Sequence, residues 1–261
     1  MVQKLFFKLG LGLCLTMPMA QAQTAGPEML LYCGITMIKP MTEIAQIFEK
    51  RANVRIRMAQ GGSEDLYQSA KKSGLGDWYL PGEPSYRAKH QSEGLLGEFV
   101  TVGYNQIAMV VAKGNPLNVR PDPRETLRKD LRVILGNAES GSIGQESKNV
   151  LDALGVYPKV VKATVFLSPD SRSLMNAMRK NEADLTLSWR ATGFFAENAS
   201  KLDVIDLNTN IAKPQGLMLI MLKSTSNAAQ ARNFMTLASG EEGQAIFRKY
   251  GFLDNQTPVK H

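Results

Sequence analysis

Cysteine and histidine are scarce in this sequence. The 261 residues include two cysteines and two histidines, which excludes a disulfide-rich scaffold and a metal site built from these ligands. Lysine and arginine never occur in runs longer than two, so the formal net charge of +7 is spread along the chain. A nucleic-acid-binding arm is usually clustered. We therefore expect no metal, no cofactor and no nucleic-acid partner.

Catalytic motifs are also missing. The sequence contains no Gly-x-Ser-x-Gly elbow, no Walker loop and no His-x-x-Glu-His motif. The one internal histidine, His90, stands among charged and polar residues rather than beside a nucleophile. This pattern favours a binding protein over an enzyme.

The first 22 residues are typical of a secretory signal peptide. Lys4 and Lys8 precede an apolar run at 9–15, and Ala20 and Ala22 supply the small residues of a cleavage site. A membrane anchor is the alternative, but the run is shorter than the roughly 20 apolar residues that span a bilayer. We expect export to the periplasm, which would leave Cys33 as the sole cysteine.

Predicted strands and helices alternate along the rest of the chain, which is typical of α/β folds with parallel sheets covered by helices. Residues 160–167 are predicted to be extended. The late apolar strand at 216–222 is predicted to return the chain to the first lobe. This gives one lobe of 29–105 plus 215–258 and a second lobe of 106–214.

Four strand-to-helix turns are rich in small and hydroxyl-bearing residues: 33–36, 61–63, 140–144 and 168–171. In open parallel sheets, ligands bind beyond the carboxyl ends of the strands, and helix N-termini favour anions there. Thr36 and Ser63 are also predicted to cap the helices that follow them. Capping alone would explain any single turn, but four such turns together suggest an anion site.

The chain resembles a known family over residues 29–253. The stretch GQAIFRKYGF at 243–252 is similar to the GQAIFAKYGF that typically ends molybdate-binding proteins, and VVAKGNP at 110–116 and TEIA at 42–45 are similar to other parts of them. The resemblance is to type II periplasmic solute-binding proteins of ABC transporters, closest to the molybdate-binding branch. It implies two α/β lobes with mixed, mostly parallel sheets, joined by two crossover strands, with the ligand in the cleft between them.

The resemblance also implies which residues contact the anion. In the first lobe the implied contacts are the hydroxyls of Thr36 and Ser63, in the first two turns. In the second lobe they are the backbone N–H of Ile143, Ser171 at the next helix start, and Trp189 in place of the family's closing tyrosine.

The sequence departs from the molybdate-binding pattern in the turn at 32–36, in the segment 76–83 and at Trp189, whose indole donates but cannot accept a hydrogen bond. Three further residues are therefore candidate ligand contacts. Arg172 and Arg190 could pair with an oxyanion or carboxylate, and Cys33 could touch a soft ligand, although a buried cysteine usually serves as a small apolar residue.

We therefore expect a monomeric periplasmic protein that captures a small anion, with a molybdate-like oxyanion favoured, and delivers it to the membrane permease of an ABC transporter. Two alternatives stay open. The same fold could serve a sensor or redox system, or it could bind a different oxyanion or an organic acid.

Overall fold

The computed structural model describes residues 26–254. The predicted signal peptide and the end of the predicted first lobe, residues 255–258, lie outside this range. None of the helices within it is long and apolar enough to cross a membrane.

The described residues form ten strands and ten α-helices. The strands are β1 (Glu28–Gly34), β2 (Arg55–Gly61), β3 (Trp78–Leu80), β4 (Leu96–Asn105), β5 (Ile107–Ala112), β6 (Val133–Gly136), β7 (Leu167–Ser168), β8 (Leu185–Trp189), β9 (Leu202–Ile205) and β10 (Gln215–Leu222). The helices are α1 (Ile38–Ala52), α2 (Ser63–Ser73), α3 (Ser85–His90), α4 (Ser142–Ala153), α5 (Tyr157–Ala163), α6 (Ser171–Arg179), α7 (Arg190–Gly193), α8 (Ala196–Ala199), α9 (Ala228–Ser239) and α10 (Glu241–Lys249). Short 3₁₀ turns precede α1, follow α3 and precede β6.

Two five-stranded sheets organise the chain. The first has the order β2-β1-β3-β10-β4 and the second the order β7-β6-β8-β5-β9. Each sheet is mixed, with two parallel and two antiparallel pairings. The antiparallel pairings involve β10 and β5, which follow the two points where the chain passes from one sheet to the other. This is the two-lobed α/β fold expected from the sequence.

Both lobes have cores made by apolar residues at regular spacing. In α1 the buried residues Met41, Ile44, Ala45 and Phe48 recur three and four positions apart, so one helix face covers the first sheet. Strand β5 is apolar throughout and buried to Val111, because it lies inside the second sheet, between β8 and β9, and helices cover that sheet.

The chain passes between the sheets twice, at 105–107 and at 206–214. Gln106 joins the two passages, since its side-chain amide donates to the carbonyl oxygens of Leu207 at 2.9 Å and Ala212 at 2.7 Å. Asn105 Oδ1 accepts from the backbone N–H of Ala191 at 3.3 Å. The predicted lobe boundaries fall within these two connections, and we keep them as the proposed division of the chain.

Two local features differ from expectation. The prediction that residues 160–167 are extended is wrong for its first part, because α5 runs through Ala163. There Val160 is buried and Tyr157 and Val161 are partly buried, so the apolar positions have helical rather than alternating spacing. Strand β4 was not predicted, and it is held by its antiparallel pairing with β10.

Phe234 gives a test of the first-lobe core. Its ring packs against Phe48 at 5.3 Å and Trp78 at 4.6 Å between centroids and is fully buried. We expect Phe234→Ala to lower the free energy of unfolding by about 3–5 kcal/mol, measured by urea denaturation, because truncation leaves a cavity. Leu75→Ala, which changes an exposed leucine, is the matched control and should shift it by less than about 0.5 kcal/mol. Equal effects of the two variants would contradict this account.

Candidate functional site

A small cavity lies in the cleft between the two sheets, where the turns that follow several strands meet. The predicted contacts Thr36, Ser63, Ile143, Ser171 and Trp189 all line it. The other lining residues are Gly34, Ile35, Met37, Gly61, Gly62, Gly82, Gly141, Ser142 and Asp170. We call this space the cleft cavity. Residues separated by more than 150 positions are thus brought together by the meeting of the lobes.

Helices α1, α2, α4 and α6 begin at residues that line the cleft cavity or directly after one of them. Helices α2 and α4 start after Gly62 and Gly141, and neither has a side-chain cap. Helix α1 starts after Met37, also without a side-chain cap, so the prediction that Thr36 and Ser63 cap their helices is wrong. Because the first N–H groups of a helix have no acceptor within it, these ends offer donors and a positive dipole to the cavity. The backbone N–H of Ile143, in the first turn of α4, is one of these donors.

The hydroxyl groups bond to one another and to the backbone instead. Thr36 Oγ1 and Ser171 Oγ lie 2.8 Å apart, in a hydrogen bond that crosses the cleft. Ser63 Oγ accepts from the backbone N–H of Gly82 at 3.0 Å. Trp189 Nε1 donates to Ser142 Oγ at 3.3 Å. These side chains are buried, so water is largely excluded from their surroundings.

The cleft cavity is almost free of charged side chains. Asp170 is the only ionisable side chain among its described lining residues, and it caps α6 by accepting from Ser173 N at 2.8 Å. The site therefore offers neutral donors and helix dipoles rather than a counter-charge. Neutral donors at converging helix N-termini suffice to hold a small anion.

The acidic residue next to Ser63 points elsewhere. Glu64 contacts Lys89 at 2.8 Å and His90 at 3.0 Å, and His90 in turn contacts Glu93 and stacks on Tyr67. Burial raises the pKa of Glu64, but hydrogen bonds from Lys89, Gln68 and His90 outweigh it and lower that pKa to about 2. Its charge is thus held by partners within the first lobe, and His90 takes part in this ion-pair cluster.

The two lobes approach closely beside the cavity. A Cβ atom at Gly82 would overlap Ser142 Oγ, and one at Gly62 would overlap the carbonyl oxygen of Ser140. The space that remains for the centre of a water-sized sphere is about 10 Å³, which is about what one water needs. A tetrahedral oxyanion is larger, so the lobes must move apart for such a ligand to enter.

The structure does not bring Cys33 and Arg190 to the cavity. Cys33 is fully buried in the first-lobe core, and this burial raises the pKa of its thiol. Arg190 pairs with Asp206 at 2.9 Å, donates to the carbonyl of Gly251 at 3.1 Å and stacks over Phe194. It therefore braces the second passage between the lobes.

Arg172 lies at the edge of the cleft. Its Nη2 donates to Gln60 Oε1 at 2.8 Å, which links the two lobes, and its side chain is exposed. It does not line the cleft cavity but lines a neighbouring one.

Sequence reasoning did not single out two residues that line the cleft cavity, Gly82 and Ser142. Ser142 lay within the turn at 140–144, so a signal existed for it. Gly82 lies in the segment 76–83, which departs from the molybdate-binding pattern, but nothing there singles it out, because its close contact is with Ser142 of the opposite lobe.

This architecture, two α/β lobes around a cleft lined by helix N-termini, defines a solute-binding protein of the type II fold. The chain belongs to the bacterial extracellular solute-binding proteins, whose family model matches residues 29–253. The family resemblance stated from the sequence is thereby confirmed.

Relatives and solved structures agree on the fold. The molybdate-binding protein ModA of Mycobacterium tuberculosis is 22% identical over 235 residues, covering 87% of each chain. The sulfate-binding protein SubI of the same organism superposes with a TM-score of 0.78 at 15% identity, covering 88% of each chain. PEB3 of Campylobacter jejuni with bound L-phospholactate gives a TM-score of 0.69 at 16% identity, covering 87% of this chain and all of PEB3.

The buried thiol gives a chemical test. A thiol that is buried and kept protonated reacts slowly with alkylating reagents. We expect Cys33 in the folded protein to resist iodoacetamide and to be modified fully in urea, as measured by intact-protein mass spectrometry. Rapid modification of the folded protein would place the thiol at an open surface and contradict its position in the core.

Proposed function

We propose that this protein captures a small oxyanion in the cleft cavity, in the periplasm, and delivers it to the permease of an ABC transporter. The observation that carries the proposal is the convergence of six segments on one small, buried cavity lined by hydroxyl, indole and helix N-terminal donors. Such a site suits a compact ligand that accepts hydrogen bonds on every side. Binding, rather than catalysis, is the proposed activity.

The names of the relatives support an anionic ligand. The ligands named for the three proteins compared above are molybdate, sulfate and L-phospholactate, all of which carry oxyanion groups. The chemistry of the cleft cavity fits this class, because donors dominate and no lysine or arginine lines the described part of it. We propose Thr36, Ser63, Ile143 N–H, Ser171 and Trp189 as the contacts.

Ligand capture requires the lobes to open and close. In the closed arrangement Thr36 and Ser171 bond to each other across the cleft, so these hydroxyls would exchange one partner for the anion as it enters. Gln106 holds the two passages together at one end of the cleft, which makes this end the proposed hinge. Closure then removes the anion from water and strengthens each hydrogen bond to it.

Removing a hydroxyl from the cleft cavity should weaken anion binding. We expect Thr36→Ala and Ser63→Ala each to lose about 1–3 kcal/mol of binding free energy, the cost of an unmade hydrogen bond to a charge. Isothermal titration calorimetry with molybdate, sulfate and phosphate measures it, using whichever anion the unmodified protein binds most tightly.

The matched controls are Thr42→Ala and Ser69→Ala, which remove exposed hydroxyls from α1 and α2. Both should bind as the unmodified protein does. If neither these anions nor a phosphorylated organic acid such as phosphoglycolate binds, or if the cleft variants match their controls, the proposed site is wrong.

Gly82→Ala should hinder closure, because its Cβ would overlap Ser142 Oγ on the other lobe. We expect the unmodified protein to contract on adding saturating anion, as seen in its radius of gyration by small-angle X-ray scattering. Gly82→Ala should contract less and bind more weakly. Gly216→Ala is the control, since the nearest atom to its Cβ would be 3.6 Å away. Equal contraction of both variants would refute this role of Gly82.

A further inference from the structure

A second cavity of about 150 Å³ adjoins the cleft cavity between the lobes. We call it the side cavity. It is lined by Ile35, Thr36, Lys39, Ser171, Arg172, Met175, Asn176, Arg179, Thr192, Phe195, Glu197 and Asn198. Ile35, Thr36 and Ser171 line both cavities, so these three residues separate them.

The side cavity differs from the cleft cavity in charge. Three cationic side chains and one carboxylate line it. Glu197 is paired with Lys39 at 2.6 Å, and although burial raises the pKa of Glu197, the hydrogen bond from Lys39 and the charge of Arg179 lower it. Arg172 and Arg179 form no ion pair with any residue in the range 26–254. Two positive charges are therefore left without a carboxylate.

Arg179 is the better placed of the two. It is half-buried, and its two Nη atoms donate to the side-chain oxygens of Asn198 and Asn176. Asn198 is itself buried and donates to the carbonyl of Thr192 at 2.6 Å. The guanidinium is thus hydrogen-bonded to neutral partners, with the charge of Glu197 nearby but no ion pair to it, and three of its five N–H groups remain for another acceptor.

The rest of the lining fits a short carbon chain. Met175, Ile35 and Phe195 provide apolar surface beside the charged groups, and the volume of about 150 Å³ compares with about 10 Å³ for the cleft cavity. A fixed guanidinium fork beside apolar walls matches a carboxylate carried on one or two carbon atoms.

We propose that the side cavity is a second binding subsite, which takes the carboxylate of a small organic oxyanion whose head occupies the cleft cavity. The inference rests on the proposed function and narrows its ligand class to compact phosphorylated or similar acids. As the lobes open, the hydrogen bond between Thr36 and Ser171 breaks, and the head group of the ligand becomes the new partner of both hydroxyls. The carboxylate end of the ligand extends past these two residues to Arg179.

Phosphoglycolate and ethyl phosphate test this subsite, because they share the phosphate head and differ by a carboxylate in place of a methyl group. We expect the unmodified protein to bind phosphoglycolate at least tenfold more tightly than ethyl phosphate in calorimetry. Arg179→Gln should abolish this preference and leave the affinity for ethyl phosphate and inorganic phosphate unchanged.

Arg179 also holds two amide side chains, so its variant is checked by circular dichroism and thermal unfolding. Lys39→Gln gives a second variant at an ion pair whose side chains are partly exposed, and it should lower the affinity for phosphoglycolate severalfold without affecting ethyl phosphate. Lys50→Gln, an exposed residue on the same helix, makes the same charge change away from the cavity and should have no effect.

The outcomes separate the two proposals. If molybdate, sulfate, phosphate and both organic probes all fail to bind, the proposed function itself is wrong. If an inorganic oxyanion binds but phosphoglycolate has no advantage over ethyl phosphate, or keeps its advantage in Arg179→Gln and Lys39→Gln, then the side cavity is not a carboxylate subsite and the proposed function stands.

Discussion

The pairing of Gln106 with the second passage between the lobes is the interaction on which the rest of the site depends. Its buried side-chain amide donates to two backbone carbonyls, Leu207 and Ala212, about a hundred residues further along the chain. Buried carbonyl groups need such partners, since a buried carbonyl without a hydrogen bond costs about 1–3 kcal/mol of stability. By joining both passages at one place, Gln106 fixes where the lobes meet and which turns face each other across the cleft.

Once the turns face each other, the chemistry of the cleft follows from helix termini rather than from charged side chains. Helices α2 and α4 begin without side-chain caps, so their first N–H groups are free to point at a ligand. The hydroxyls of Thr36 and Ser171 bond across the gap, so each lobe supplies a donor or acceptor to the other. The proposed anion would be recognised by the number and direction of its hydrogen bonds.

Charged side chains line the side cavity, which adjoins the neutral cleft cavity. Arg172 and Arg179 in the side cavity are bound by amide oxygens, while other arginines, such as Arg190 with Asp206, are matched by carboxylates. The contrast between a neutral cavity and an adjoining basic one suits a ligand with two different ends. Cys33, in the first turn that departs from the molybdate-binding pattern, lies in the core and lines neither cavity.

The sequence alone determined the α/β class and the helical spacing of α1, because burial of a regular apolar face is a local pattern. Its resemblance to known proteins also pointed to Thr36, Ser63, Ile143, Ser171 and Trp189, which the structure brings to one cavity. Strand β4, which pairs with distant β10, and helix α5 needed tertiary packing to be assigned. The proposed roles of Gly82 and Arg179 could not be predicted from the sequence either. These roles depend on which groups of the opposite lobe or of neighbouring helices face the two residues, and only the packed fold decides that.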